Sequence, residues 1–247
     1  MKKCYQAFLA GLVCLVLAAP VLAIEIDPAD VLEGSPVPIA GGSTLGCGTV
    51  IYENIGTTYF YSTTAPGWNV LDDGNFPTGT APVCVGCVEL GWRQQTAGQL
   101  YIAVDFYDTV VPGGPACNVT WLGGFVANFG VVAVGGWLSN PIDISSMPIT
   151  FPDNSWCVEM RYFSSLSPLT PSTGAFVMFA NGGPTVGTNN SAAYYRDANG
   201  NGTFECPGEA RSFAAPNKSQ FYLRLSATLS PSATEPSSWG TVKALYR

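Results

Sequence analysis

Gln99-Leu-Tyr-Ile-Ala-Val-Asp-Phe-Tyr-Asp-Thr-Val110 alternates in hydrophobicity more strictly than any other run in the chain. In an extended chain Leu100, Ile102, Val104 and Phe106 fall on one side, and Tyr101, Ala103, Asp105 and Tyr107 on the other. One face is therefore apolar and the other amphipathic, the pattern of a half-buried β-strand. Thr57 to Thr63, Phe125 to Val134, Trp156 to Phe163 and Gln220 to Thr228 repeat the pattern less strictly. A strand with one oily face is stable only when others like it close over that face. Strand signals recur at intervals of about ten residues, no helical period runs through the chain, and no blade motif repeats. The expected fold is an all-β antiparallel β-sandwich, jelly-roll-like and stabilised by disulfides.

Working outward, Val83 to Arg93 reads as the strand before this one, and Pro112-Gly-Gly-Pro115 ends it, since proline cannot donate to a ladder. Upstream, Val50 to Thr64 predicts one or two strands. Pro66 to Pro77, with its Asp72-Asp-Gly-Asn75, predicts a long loop dense in turn formers. Downstream, Asn118 to Trp121, Phe125 to Val134 and Trp137 to Ile144 read as separate short strands. Pro148 to Pro152 reads as a strand, Asp153-Asn154 as a turn, and Trp156 to Phe163 as another strand. Ser164 to Gly174 reads as a Ser/Pro loop, Ala175 to Ala180 as a central strand, and Gln220 to Leu229 as the closing one. The organisation read from this is a signal peptide over residues 1–23, an extended lead-in over 24–45 and the sandwich over 46–229. A Ser/Pro linker follows over 230–238, and a short C-terminal motif over 239–247.

Met1-Lys2-Lys3, the apolar run Ala7 to Leu17 and the small-residue ending Pro20-Val-Leu-Ala23 are the three parts of an export signal. The apolar run is shorter than the ~20 residues of a membrane span. The mature chain is thus expected to have no transmembrane segment and to be secreted or held at the cell surface. Without Lys2 and Lys3 it keeps eight basic against 17 acidic residues, and Arg93 is the sole basic residue between Ile24 and Met160. That excludes a nucleic acid partner, whose phosphates require clustered Lys and Arg, and argues against anionic membrane surfaces.

Cys47, Cys84, Cys87, Cys117, Cys157 and Cys206 remain after the leader, an even number in an oxidising compartment, so up to three disulfides are expected, with their pairing open. For Cys84-Val-Gly-Cys87, a zinc knuckle lacks a second ligand pair and a redox site lacks its βαβ setting. A structural bridge, within the loop or to distant partners, is the reading taken.

With no histidine in the chain, neither a Ser-His-Asp triad nor a His-ligated metal centre can be built. A carboxylate pair of the glycosidase kind would have to come from Asp72, Asp73, Glu89, Asp105, Asp108 and Glu159. Asp105 and Glu159 lie at polar phases of their strands, which reads as solvated surface carboxylates. Asp197-Ala-Asn-Gly-Asn-Gly-Thr-Phe-Glu205 sets oxygen ligands at alternate positions around a glycine, the arrangement that folds a loop around calcium. Asp197, Asn199, Asn201, the Thr203 carbonyl, Glu205 and the late Glu209 form that candidate set. Having few formal charges it would bind weakly, on the order of 10⁻⁴ to 10⁻³ M. The competing reading is a plain hairpin or Ω-loop built on Asn-Gly turns and pinned by Cys206. Trp68, Trp92, Trp121, Trp137, Trp156, Tyr101, Tyr107, Tyr194 and Tyr195 supply either a sandwich core or a sugar-stacking platform, and exposure distinguishes the two. Sequons stand at Asn118, Asn189, Asn201 and Asn217.

The stretch from Gln99 to Phe125, with Val-Asp-Phe-Tyr-Asp and its Pro-Gly-Gly loop, is one of four that share a family likeness. The others are Trp156-Cys-Val-Glu-Met-Arg-Tyr162, Gly182-Gly-Pro-Thr-Val-Gly-Thr-Asn-Asn-Ser-Ala-Ala-Tyr-Tyr-Arg196 and Phe221-Tyr-Leu-Arg-Leu-Ser-Ala227. Together they resemble the β-sandwich ectodomain of bacterial secreted proteins of the choice-of-anchor type, over roughly Val50 to Leu229. The resemblance implies an exported sandwich joined to a C-terminal sorting signal, and it carries over no catalytic residues. Ser237 to Arg247 resembles a short C-terminal tag in place of the apolar span or sortase motif of the commoner versions. The expectation is a non-enzymatic structural or adhesive module that meets extracellular glycan or cell-envelope components. The alternative is a carbohydrate-binding module with a weak calcium-braced loop, and a carboxylate enzyme comes third. The sequence leaves ligand and oligomeric state open.

Overall fold

A computed structural model describes residues 37–38, 47–56, 59–61, 69–109, 119–147, 149–180, 182–189, 194–197, 204, 209–211 and 220–228. The signal peptide, the linker, the C-terminal motif, Trp68, Cys117 and Cys206 lie outside them. In chain order the strands are β1 (Val37–Pro38), β2 (Cys47–Glu53), β3 (Tyr59–Tyr61), β4 (Val70–Asn75), β5 (Val83–Gln94) and β6 (Gly98–Thr109). Then come β7 (Val119–Val132), β8 (Gly135–Leu138), β9 (Ile142–Asp143), β10 (Ile149–Phe151), β11 (Ser155–Leu166) and β12 (Leu169–Pro171). The last are β13 (Ala175–Ala180), β14 (Thr188–Asn189), β15 (Tyr194–Arg196), β16 (Ala210–Arg211) and β17 (Leu223–Thr228).

The chain folds as the expected all-β sandwich, two antiparallel sheets face to face. The first is built on β5. One edge of β5 takes β10, β9 and β8 in turn and the other takes β17 and β13. Beyond these lie β2 on β17, β3 on β13 and β1 on β8, the last a parallel pairing. The second sheet runs β16-β15-β4-β11-β6-β7, with β14 also on β4 and β12 folded back on β11. The opening stretch is β6, sitting between β11 and β7 in the second sheet.

The core follows from the alternation. Leu100, Ile102, Val104 and Phe106 of β6 and Trp156, Val158 and Met160 of β11 meet Val85, Val88, Leu90 and Trp92 of β5 and Leu223 and Leu225 of β17 in one cluster. On β5 the inward phase slips between Val85 and Val88, because β17 pairs Ser226 with Cys87 but Ala227 with Val85, which leaves Gly86 as the extra residue of a bulge. The slip turns Cys87 away from the core, where it bonds Cys47 at the start of β2 across a Cα–Cα distance of 5.2 Å. Aromatic pairs cross between the sheets, Tyr52 to Trp156 at 4.4 Å and Trp92 to Phe129 at 4.5 Å between ring centroids.

Four sequence expectations change. Val70–Asn75 is not loop but β4, a central strand between β11 and the β14/β15 edge. Asn118 to Val134 holds one 14-residue strand rather than two, because register shifts at Leu100/Tyr101 and Phe106/Tyr107 absorb Phe129 and Leu122 as bulges without breaking the pairing to β6. Within the Ser/Pro stretch, Leu169–Pro171 returns onto β11 as a short hairpin strand. And the cysteines are not all paired: Cys84 and Cys157 carry free thiols, Cys84 with its Sγ 2.9 Å from Thr150 Oγ1 and Cys157 buried. Cys87 bonds a distant partner, so no bridge closes the Cys84–Cys87 loop.

On the outer face of the first sheet one cation is shared by two carboxylates. Arg224 of β17 lies between Glu53 of β2 and Glu89 of β5, with Nε 2.6 Å from Glu53 and Nη1 2.7 Å from Glu89. Burial pushes the Glu53 carboxyl up, but the Thr185 hydroxyl and Arg224 outweigh it and leave it below its usual value. Among the described residues no helix is long and apolar enough to cross a membrane.

Candidate functional site

The outer face of the second sheet gathers the chemistry-bearing residues. Strand β11 runs between β4 and β6, so Glu159 has Leu71 on one side and Asp105 on the other, while Cys157 has Asp73 and Tyr107. Residues opposite one another on neighbouring strands point to the same face, and this register alone brings Asp105 and Glu159 together. Arg161, two residues along β11, donates from Nη2 to Asp105 Oδ2, and its Nε lies 3.6 Å from Glu159 Oε1. The Tyr107 hydroxyl donates to Glu159 Oε2 at 2.5 Å, and the Trp121 indole N–H donates to Asp105 Oδ1 at 2.8 Å. Gly124 lies opposite Asp105 on β7, and a side chain there would collide with that carboxylate.

Glu159 is 5% exposed, so it is not a solvated surface carboxylate. Burial pushes its carboxyl above the usual range. Tyr107 and Arg161 pull it back, Asp105 and Asp197 push it up again, and the net shift is upward. Burial and the adjacent Glu159 push the Tyr107 phenol far above its ordinary value, which keeps it a donor. Both carboxylates spend their oxygens on Arg161, Tyr107 and Trp121. The network thus reads as a brace across β11, β6 and β7, and its one exposed member is the Trp121 ring at 61%.

Of the other candidate carboxylates, Asp72 faces inward, with Val158 opposite it on β11. It is wholly buried, its Oδ2 accepting the Phe221 N–H at 2.8 Å and its Oδ1 the Asp73 N–H at 3.0 Å, while Asn54 donates to the Phe221 carbonyl at 3.2 Å. Phe221 leads into β17, so this carboxyl clips one sheet to the other from inside. Burial, then Asp73, raise it well above the carboxylate range against the pull of the two N–H groups. A carboxyl raised by folding contributes stability that is complete below its unfolded pKa of ~3.9 and lost as pH rises toward the folded value. Asp72→Asn has no such titration. Urea midpoints taken at increasing pH should therefore show the wild type losing ground to the variant from about pH 4 upward; parallel curves would contradict this.

The calcium candidates are divided. Tyr194 and Tyr195 pair with Arg211 and Ala210, and the Arg196 N–H donates to the Glu209 carbonyl at 3.1 Å, so residues 197–209 connect the two arms of a hairpin. Asp197 and Glu209, one at each end, are both buried. Asn199, Asn201, Thr203 and Glu205 lie outside the described residues, and among those described no group of three His, Cys, Asp or Glu side chains is placed to hold a metal ion. Phe204 packs with Val119 and Tyr107 against Leu71, Cys157 and Tyr195 on this same outer face.

Most of the aromatics are core: Trp92 and Trp156 are fully buried and Tyr195 nearly so. Tyr101, Tyr107 and Trp137 are partly covered, which leaves Trp121 as the exposed large ring among the described residues. Asn189, a sequon, accepts the Tyr52 hydroxyl at 2.6 Å and keeps its Nδ2 buried, so it is not presented for glycosylation. Sequence reasoning had Asp105, Glu159 and Trp121 but missed Arg161 and Tyr107 as their partners. The available signal was the shared polar phase: Tyr107 stands two residues from Asp105 along β6, and Arg161 two residues from Glu159 along β11. No family model matches the chain, and neither a curated protein nor a solved structure matches it.

Proposed function

We propose that the protein is a secreted or surface-associated, non-catalytic β-sandwich that acts as a structural or adhesive module, meeting extracellular glycan or cell-envelope material through the outer face around Trp121. The observation that carries this reading is the Trp121 side chain: Asp105, itself held by Arg161, fixes the indole in one pose while the residue stays 61% exposed. An aromatic ring fixed before contact loses little entropy on stacking, whether against a sugar ring or an apolar surface. The exposed Val126 extends the same face.

The second reading is a carbohydrate-binding module braced by a weakly held calcium, favoured by the two buried carboxylates, Asp197 and Glu209, at the ends of one hairpin connection. Retention of the chain from Ile24 onward on insoluble cellulose, chitin and purified cell-wall sacculi, with and without EDTA, separates the readings. The first expects retention that EDTA leaves unchanged. Retention abolished by EDTA and restored by calcium would replace it with the second, and no retention on any support would remove both.

A further inference from the structure

Strand β7 is an edge. It pairs with β6 from Val119 to Val132, and its other side has no strand partner among the described residues. Edge strands are ordinarily guarded by lysine, proline or an inward charge. β7 has none of these over its 14 residues, and no charged residue occurs anywhere between Asp108 and Asp143. The large apolar residues it exposes are Trp121 at 61%, Val126 at 50% and Val131 at 79%. They lie opposite Tyr107, Ala103 and Gln99, all outward positions of β6. Strict alternation would not put residues five apart on one face. The two bulges, at Leu122 and Phe129, fall one in each interval and correct the phase. The exposed apolar residues are thus evenly spaced about Val126.

We infer that the free edge of β7 pairs antiparallel with β7 of a second copy of this chain, around a two-fold axis through Val126. Val126 of the two copies then lie side by side, with Trp121 of each beside Val131 of the other, and because the pairing runs through the backbone edge the indoles stay on the outer face that the proposed function assigns to glycan. A second copy is the occupant these observations select, for three reasons. An antiparallel edge is complementary to itself under a two-fold axis, and evenly spaced apolar residues keep that match in the side chains. Copies of a chain with net charge −7 repel one another, and an uncharged edge is where they approach at least cost. At ~3.4 Å per residue, 14 residues extend ~48 Å; with a band about 10 Å deep, each copy buries roughly 500 Å², or ~1,000 Å² in all, the lower bound for a specific interface. The pairing is therefore reversible. The bulges at Leu122 and Phe129 shift the register without ending the pairing of β7 to β6, so the edge runs the length of the strand, and a two-fold contact between two free edges closes on itself.

The test uses the chain from Ile24 onward in a Cys84→Ser background, which removes the free thiol that is exposed among the described residues. Light scattering across a concentration series should show a monomer–dimer equilibrium. Val126→Lys places like charges on the axis and should raise the dimer dissociation constant about tenfold or more, with an unchanged circular dichroism spectrum. Val126→Cys supplies a second route: with oxidised glutathione, the introduced thiols of two copies should join across the axis, their two protons and two electrons passing to glutathione as two thiols. Val134→Cys, equally exposed but off the axis, should cross-link far more slowly. A monomer at every concentration, an unaltered dimer in Val126→Lys, equal cross-linking at both sites, or unlimited aggregates would each overturn the inference.

Discussion

Trp156→Ala is expected to destabilise the domain by about 3–5 kcal/mol, read as a lower urea midpoint at unchanged slope. Trp156 is fully buried on β11, and its ring meets Tyr52 of the opposite sheet at 4.4 Å, so its removal opens a cavity where the two layers touch. The strand beside it is cut to fit. Gly74 of β4 pairs with Trp156, and a Cβ there would stand 2.5 Å from the Trp156 ring and 2.6 Å from the Thr188 carbonyl oxygen. Gly74→Ala should accordingly be destabilising as well, by overpacking, at about 1–3 kcal/mol. Trp156→Phe should cost less than alanine, since the indole N–H finds no acceptor among the described residues and its loss leaves no new unpaired group. A near-neutral Trp156→Ala would mean that the sheets do not meet at this ring.

Removing the Cys47–Cys87 bridge is the second large effect. The bond joins the first strand residue of β2 to the middle of β5 across a sequence separation of 40. In the chain-entropy model a loop of that length is worth about 4 kcal/mol at 25 °C, because the oxidised unfolded chain has fewer conformations to regain. A Cys47→Ala/Cys87→Ala variant should lose approximately that much in urea denaturation, and dithiothreitol should weaken the wild type by more than it weakens the variant. A variant within about 1 kcal/mol of the wild type would show that β2 is held by its pairing to β17 alone.

Alternation carried the fold far. β5, β6, β11, β13 and β17 were all legible because each is apolar on at least one face and bounded by glycine or proline. β4 was not. Asp72-Asp-Gly-Asn75 is turn-forming by composition, and only its surroundings make it a strand. Asp72 is drawn inward by the Phe221 N–H, and Gly74 is needed beneath Trp156. Nothing near Asp72 in sequence announces a partner 149 residues away. β7 was divided in two for a related reason, since bulges break the two-residue period without breaking the ladder. The site was half legible. Asp105 and Glu159 could be placed at matching phases, but whether a polar phase is wet depends on what packs over it. Here the Tyr107 and Arg161 side chains close over Glu159, with Phe204 nearby on the same face.

In the proposed function the exposed Trp121 surface makes contact with a ligand while the carboxylates behind it only hold that surface in place. One retention assay on the insoluble support that binds the wild type tests it most directly, run in parallel on Trp121→Ala and Glu159→Gln after both are shown to melt cooperatively. Trp121→Ala should fall about tenfold or more, toward background, whereas Glu159→Gln, still able to accept the Tyr107 hydroxyl, should stay within about twofold of the wild type. Full retention by Trp121→Ala with loss in Glu159→Gln would contradict it.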